Sequence, residues 1–179
     1  MKIENVQIEE IDEVFRLYDI ASGYQKSKKT VVVWPEFDQG MVTNEILENR
    51  QFKLLIDDKL ACVWAITFSD TQIWVKRNED PAIYIHRIAT NPDFRGYNFV
   101  ASIVDWAKDY AKMHAKQFIR LDTIGDNTRL IKHYCTCGFN FLGMFNLPNV
   151  DELPPHYKEG PVCLFEIDLK KERNEAKNR

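Results

Sequence analysis

Ile83-Tyr84-Ile85-His86-Arg87-Ile88-Ala89-Thr90 is followed by Asn91-Pro92-Asp93 and then by Phe94-Arg95-Gly96-Tyr97-Asn98. The first run is apolar and β-branched enough to read as a central strand. Alternation puts Tyr84, His86, Ile88 and Thr90 on one face and Ile85, Arg87 and Ala89 on the other. Pro92 cannot donate to a ladder and marks the strand end. From Phe99 to about His114, apolar residues recur at three- and four-residue spacing, which predicts a helix. Gln117 to Thr123 reads as a second strand. Asn127, Leu130, Ile131 and Tyr134 then share a helical face, and Gly138 is placed as the left-handed residue that closes that helix. The order is strand, basic loop, helix, strand, helix. Backbone N–H groups leading into a helix N-terminus favour an anion, so the loop is the expected seat of a phosphate-bearing ligand. Gly96 allows positive φ and close approach. Arg95 adds charge.

Arg95-Gly96-Tyr97-Asn98-Phe99-Val100 resembles the coenzyme-binding loop of the GNAT family of N-acetyltransferases. That loop reads Arg or Gln, two residues, Gly, one residue, Gly or Ala. Arg95 and Gly96 fit, whereas Asn98 and Val100 replace the two small residues. Asn is the side chain that best tolerates the left-handed region in place of glycine. Val100 fits only if it is already helical. Downstream the family often has an Asn opening the next helix, a Tyr seven residues on, and then Gly-Phe. Asn127, Tyr134, Gly138 and Phe139 match without a gap.

The resemblance implies an α/β fold: a GNAT-like mixed central β-sheet with helices on both faces. It implies one acyl-CoA N-acyltransferase domain over residues 1–169, followed by a polar tail, 170–179. The implied reaction moves an acetyl group from acetyl-CoA to a primary amine by direct attack, without a covalent enzyme intermediate. The alternative is a domain that binds or senses acyl-CoA with little or no turnover. Cofactor-binding residues implied are Ile88, Ala89 and Thr90 through their backbone, then Arg95, Gly96, Tyr97, Asn98, Phe99, Val100 and Asn127. Asn127 could equally be a helix N-cap.

Acyl transfer to an amine needs two proton movements. An alkylamine with a pKa near 10 is mostly protonated and must lose a proton to attack. The tetrahedral oxyanion needs an N–H donor, which in the family is a backbone N–H of the strand at Ile88 to Thr90. Tyr134 matches the family tyrosine that points at the coenzyme sulfur and is the candidate general acid. A core tyrosine is its plainer alternative. His86 occupies the strand position that holds a histidine in arylalkylamine acetyltransferases and is the candidate base. Its alternative is a hydrogen-bonded core histidine. His133 and His156 are weaker candidates.

The remaining chain supplies the frame. Lys2 to Ile8 reads as a short strand. Glu9-Glu10 opens a helix with Ile11, Val14, Phe15, Tyr18 and Ala21 as its stripe. Gly23 to Asp38 is punctuated by Gly23 and Pro35. Its Thr30 to Trp34 run could be a buried strand, and Trp34 either covers the core or packs on the acceptor. Gln39 to Asn49 reads as a second helix. Phe52 to Ile56 and Leu60 to Phe68 form a hairpin across Asp57-Asp58-Lys59. Ser69 to Pro81 either extends the sheet or forms a flap. Phe139 to Phe145 and Val162 to Leu169 read as the last strands. The loop between them, Asn146 to Gly160, is long enough to be functional and is expected on the acceptor side with Trp34.

Composition narrows the partners. The 179 residues are 45% hydrophobic and 28% charged, with a net charge of −3, which gives no electrostatic footprint for nucleic acid. No apolar run reaches the roughly 20 residues of a membrane span. The first residues lack a signal-peptide core, so a cytoplasmic setting is expected. The acceptor is expected to be a small-molecule or peptide amine. Glu36, Asp38, Asp151 and Glu152 are read as flanking the mouth, where they favour a cationic amine or are solvated loop charges. Exposed strand edges permit a homodimer. Cys62, Cys135, Cys137 and Cys163 are read as reduced thiols. No metal is expected, because His133, Cys135 and Cys137 diverge around a helix.

Overall fold

The computed structural model describes residues 1–28, 32–151 and 153–172. Seven strands form one sheet: β1 (Lys2–Asn5), β2 (Gln51–Ile56), β3 (Lys59–Thr67), β4 (Ala82–Thr90), β5 (Phe118–Ile124), β6 (Asn140–Phe145) and β7 (Val162–Asp168), in the spatial order β1-β2-β3-β4-β5-β7-β6. β4 and β5 are parallel and every other pairing is antiparallel. Helices α1 (Ile11–Ser27) and α2 (Gln39–Leu47) cover one face. α4 (Phe99–Met113) and α5 (Thr128–Thr136) cover the other, and the short α3 (Thr71–Trp74) precedes β4.

Local rules account for the elements. Asp57 and Asp58 both have positive φ, 49° and 58°, the geometry of a tight turn whose twist suits a hairpin. Asp38, Asn98 and Asn127 cap α2, α4 and α5 by accepting from Met41, Ala101 and Leu130 N–H groups. α4 turns Phe99, Ile103, Val104, Ala107 and Ala111 into the core against Trp64, Ile83, Ile85 and Phe165. Each such side chain contributes about 1.5 to 3 kcal/mol of burial when large. The opposite core joins Val14, Leu17 and Tyr18 of α1 to Val42, Ile46, Val63 and Ala89.

Several expectations change. Gly23 does not end the first helix, which continues through Ser27. Residues 32–38 have no regular structure, and Thr30 and Val31 of the expected strand lie outside the described residues. Ser69 to Pro81 neither extends the sheet nor forms an open flap: α3 and a 3₁₀ stretch, Val75–Glu79, pack Ile73 and Trp74 under Ala82 and Tyr84. Residues 169–172 take one helical turn, tied to α4 by Lys108 and Glu172 at 2.8 Å, so the first residues of the polar tail are docked on the domain.

The simple face assignment along β4 also fails. Val63 faces Ala89 and Ala65 faces His86, so one β3 residue opposes both Arg87 and Ile88. This is a β-bulge, and Arg87 takes φ 52° within it. The extra residue resets the alternation. Tyr84 packs in the cluster around Trp74, and Arg87 and Ala89 reach the α1–α2 side, while Ile83, Ile85 and Ile88 pack toward α4. A pattern with a period of two cannot show where its own phase slips.

Candidate active site

β4 and β5 pair only at Ala82–Phe118, Ile83–Ile119 and Tyr84–Arg120. Beyond that point β4 stays on β3 as far as Thr90, and β5 stays on β7 as far as Ile124. The two strands therefore part like a V, and backbone groups along its inner edges have no partner across the gap. A cleft of about 1230 Å³ opens there, lined by His86 to Ile88, Thr90, Arg95, Leu121 to Asn127 and Tyr134, with Trp34, Phe37, Pro154, His156 and Tyr157 above.

One bank of this cleft is made by the ends of α4 and α5. Arg95 lines it, and Gly96 beside it has φ 94° with open space where a Cβ would be. A donor ligand could approach that backbone closely. Asn98 has φ −92° and caps α4, so the left-handed conformation expected of it is not adopted. Its carboxamide oxygen also accepts from Cys137 Sγ at 3.5 Å. Val100 is helical and packs on the core. Tyr97 is exposed and stacks on buried Phe99, with ring centres 5.5 Å apart. Gly96 to Val100 thus sit beside the cleft rather than in its lining. Asn127 lines the cleft and also caps α5, so both readings of it hold. Tyr134 packs on Phe139 and Phe165 and faces the cleft. Burial, helped by Asp122, holds its phenol well above the usual range, so it stays protonated and able to donate. Ala89 turns its side chain away into the α1–α2 core, which leaves only its backbone for a ligand.

The other bank holds His86, the candidate base, and Asp122, with Asp70 buried behind His86 rather than in the lining; neither carboxylate was a candidate from sequence. His86 Nε2 lies 3.5 Å from Asp70 Oδ2. Asp70, His86 and Asp122 bring one ligating atom each within 4.8 Å of one another. Asp122 accepts from the Tyr157 hydroxyl at 2.9 Å. Burial, with Arg87 and Arg50 nearby, pushes the His86 imidazole down to about 3. Burial and the Asp122 charge push Asp70 up to about 7, and burial raises Asp122 to about 6. These shifts keep the His86 imidazole neutral and bring both the Asp70 and Asp122 carboxyls toward neutrality. His156, buried on the same side, is pushed down to about 4.

Beside this group Arg87 donates to Tyr18 at 3.3 Å and to Glu45, and Tyr18 stacks edge-on against Trp34 and Phe37. Trp34 is therefore both core cover and cleft wall. Glu36 and Asp38 do not line the cleft, and Asp38 is spent as the α2 cap. Asp151 is exposed beside Lys158 at 3.7 Å, and Glu152 lies outside the described residues. The one available signal for Asp122 was a carboxylate in an apolar strand, on the same face as buried Arg120. Asp70 gave none, since an Asp after a strand reads first as a turn.

Comparison with known proteins bears on the fold and the family. “Uncharacterized N-acetyltransferase YesJ” of Bacillus subtilis (strain 168) is 28% identical over 106 residues, which cover 57% of this chain and 59% of that protein. The match thus spans about three fifths of that relative's length. A GNAT-family acetyltransferase structure from Listeria monocytogenes 4b F2365 superposes with a TM-score of 0.76 at 21% identity, covering 94% of both chains. YncA of Salmonella typhimurium, a putative acetyltransferase solved with acetyl-CoA, gives 0.67 at 10% identity, again over 94% of both chains. These likenesses fix the fold. The sequence profile described as “Acetyltransferase (GNAT) family” covers residues 16–139, from within α1 through Arg95-Gly96 and Tyr134 to the Gly138-Phe139 pair, and the chain belongs to that family.

Proposed function

We propose that the protein is an N-acetyltransferase that moves an acetyl group from acetyl-CoA to a primary amine by direct attack. The observation that carries this reading is the V between β4 and β5, faced by the Tyr134 phenol on one bank and the His86 imidazole on the other. The donor's pyrophosphate takes the backbone from Gly96 to Val100 and the Arg95 charge, at the N-terminus of α4. Its pantetheine arm takes the free inner edge of β4 at Ile88 to Thr90, with the Asn127 amide opposite. The thioester then lies between Tyr134 and His86. A β4 backbone N–H donates a hydrogen bond to the developing oxyanion, Tyr134 protonates the leaving sulfur, and neutral His86 receives a hydrogen bond from the attacking nitrogen. Trp34, Phe37 and the Pro154–Tyr157 segment form the acceptor wall.

The acceptor is a small-molecule or peptide amine, and residues 1–169 act as one catalytic unit. A cytoplasmic setting fits the donor and the four free thiols. Edge strand β6, which exposes Phe141, Met144 and Phe145, is the surface on which a second copy would pair. The deciding experiment is free-thiol release from acetyl-CoA over a panel of primary amines. Amine-dependent release supports transfer. Coenzyme binding with no release for any amine overturns it in favour of an acyl-CoA sensing domain.

A further inference from the structure

His86 and Arg87 are consecutive, and in a regular strand their side chains would point to opposite faces. The bulge that sets Val63 against Ala89 and Ala65 against His86 removes that opposition, with Arg87 at φ 52°. A positive φ is costly for a side chain of this size, and such positions cluster at functional sites. Both residues line the cleft, and after burial it is the Arg87 charge that most lowers the His86 imidazole.

The Arg87 guanidinium is fixed from within the fold. Its Nε donates to the Tyr18 hydroxyl at 3.3 Å and its Nη2 donates to Glu45, while the Phe37 ring centre lies 5.4 Å from Cζ. Glu45 also faces Arg50 at 3.9 Å, so its single charge is divided between two guanidinium groups. Among the described residues Arg87 Nη1 makes no hydrogen bond, and it is not sealed from solvent: the side chain stays 14% exposed where it lines the cleft. The acids of the lining are placed differently. Asp122 accepts from the Tyr157 hydroxyl at 2.9 Å, and Asp126 is exposed at the entry to α5. On this side the wall is otherwise aromatic and apolar, from Ile20, Tyr24, Trp34, Phe37 and Tyr157.

We propose that the acceptor is a free α-amino acid with an apolar side chain, its carboxylate held by Nη1 of Arg87 and its amino nitrogen at His86. This rests on the acetyl-transfer reading. In an α-amino acid a single carbon separates the nitrogen from the carboxylate, and His86 and Arg87 are neighbours that share one cleft, so one small molecule spans both. A guanidinium already held by Tyr18 and Glu45 binds a carboxylate without first losing its own side-chain freedom. The charge-assisted bond forms at the open edge. The aromatic wall takes the substrate's side chain. Arg87 is thus the specificity-determining residue, and Tyr18 and Glu45 position it.

The test compares each amino acid with the amine that remains when its carboxylate is removed. L-leucine is set against isopentylamine, and L-phenylalanine against 2-phenylethylamine, in acetyl-CoA-dependent thiol release. Values of kcat/KM are expressed per unprotonated amine, because an α-amino group is a weaker base than an alkylamine. The amino acid should be favoured by about 10- to 100-fold, the worth of a charge-assisted hydrogen bond. L-phenylalaninamide, which keeps the shape and loses the charge, should fall with the amines. Arg87→Gln combined with Glu45→Gln removes both charges and leaves no orphan carboxylate. It should raise the amino acid's KM about tenfold or more and erase the preference, whereas loss of packing alone would lower both members of a pair and keep their ratio. If the double variant does not fold, the wild-type ratio decides. Equal or better use of the carboxylate-free amines would overturn the proposal while leaving acetyl transfer intact. So would a preserved ratio in the folded double variant, or equal use of L-phenylalaninamide, which would make the acceptor a peptide N-terminus. Absence of thiol release with every amine and amino acid would remove the acetyl-transfer reading itself, and this proposal with it.

Discussion

The two banks of the cleft are built on opposite principles. The bank formed by α4 and α5 comes from one continuous stretch, and its two asparagines are already engaged: Asn98 and Asn127 cap their helices, and Asn98 also receives the Cys137 thiol. The bank formed by Asp70, His86, Asp122 and His156 is drawn from four separated segments and leaves buried oxygen and nitrogen atoms without partners. A donor common to a family can be held by backbone and capping geometry, which tolerates changes such as Asn98 and Val100. An acceptor must be recognised by side chains that need it. The asparagines of the first bank are thus engaged within the fold, whereas the second leaves Asp70 Oδ2 and His156 Nδ1 without partners.

That contrast predicts where substitutions act. The largest effect is expected at Tyr134, which faces the cleft from α5. Tyr134→Phe should reduce turnover by about 10²-fold, less than the upper range for a positioned acid because a thiolate leaves readily, with coenzyme affinity preserved. Full turnover in this variant, measured where chemistry limits the rate, would defeat the acid assignment. Next is the satisfied bank. Arg95→Ala should weaken acetyl-CoA binding by about 1 to 3 kcal/mol in calorimetric titration, with the amine KM little changed. Unchanged affinity would remove Arg95 from the phosphate site. On the unsatisfied bank, Trp34→Ala should raise the acceptor KM several-fold more than that of acetyl-CoA. Equal changes in both would make Trp34 core cover for Tyr18 and Phe37 and nothing more.

The smallest expected effect is on stability, and its sign is the sharpest test of the comparison. Burial and Asp122 raise Asp70 to about 7 in the folded chain, above the ordinary carboxylate value. Such a group's contribution is fully present below the unfolded pKa near 4 and is lost as pH rises toward 7. Asp70→Asn should therefore leave the melting temperature nearly unchanged at pH 4 and raise it at pH 8, by about 1 to 3 kcal/mol in stability. Asn127→Ala, on the satisfied bank, should lower it at every pH by the roughly 1 kcal/mol of a lost cap. A pH-independent effect of Asp70→Asn would mean that the second bank is as self-sufficient as the first.

Amino-acid order alone determined the elements whose causes are local. The strand, loop and helix from Ile83 onward, the cap at Asn127, the turn at Gly138, and the hairpin at Asp57-Asp58 follow from periodicity and turn chemistry within a few residues of each position, whereas Asn98, expected in the left-handed region, caps α4 instead. With Arg95, Asn127 and Tyr134, that stretch carried the family resemblance. Tertiary structure alone decided what depends on partners distant in the chain. The bulge at Arg87 exists because β3 and β4 pair out of step, and it puts His86, Arg87 and Ala89 on the side that strict alternation divides between two. Gly23 stays helical because Val14, Leu17 and Tyr18 anchor α1 on the sheet, and a single glycine's cost of about 1 kcal/mol is outweighed. Asp70 meets His86 and Asp122 only once β3, β4 and β5 lie side by side. Desolvation, the force that gives those three groups their altered proton affinities, is a property of the assembled cleft and has no counterpart in the extended chain.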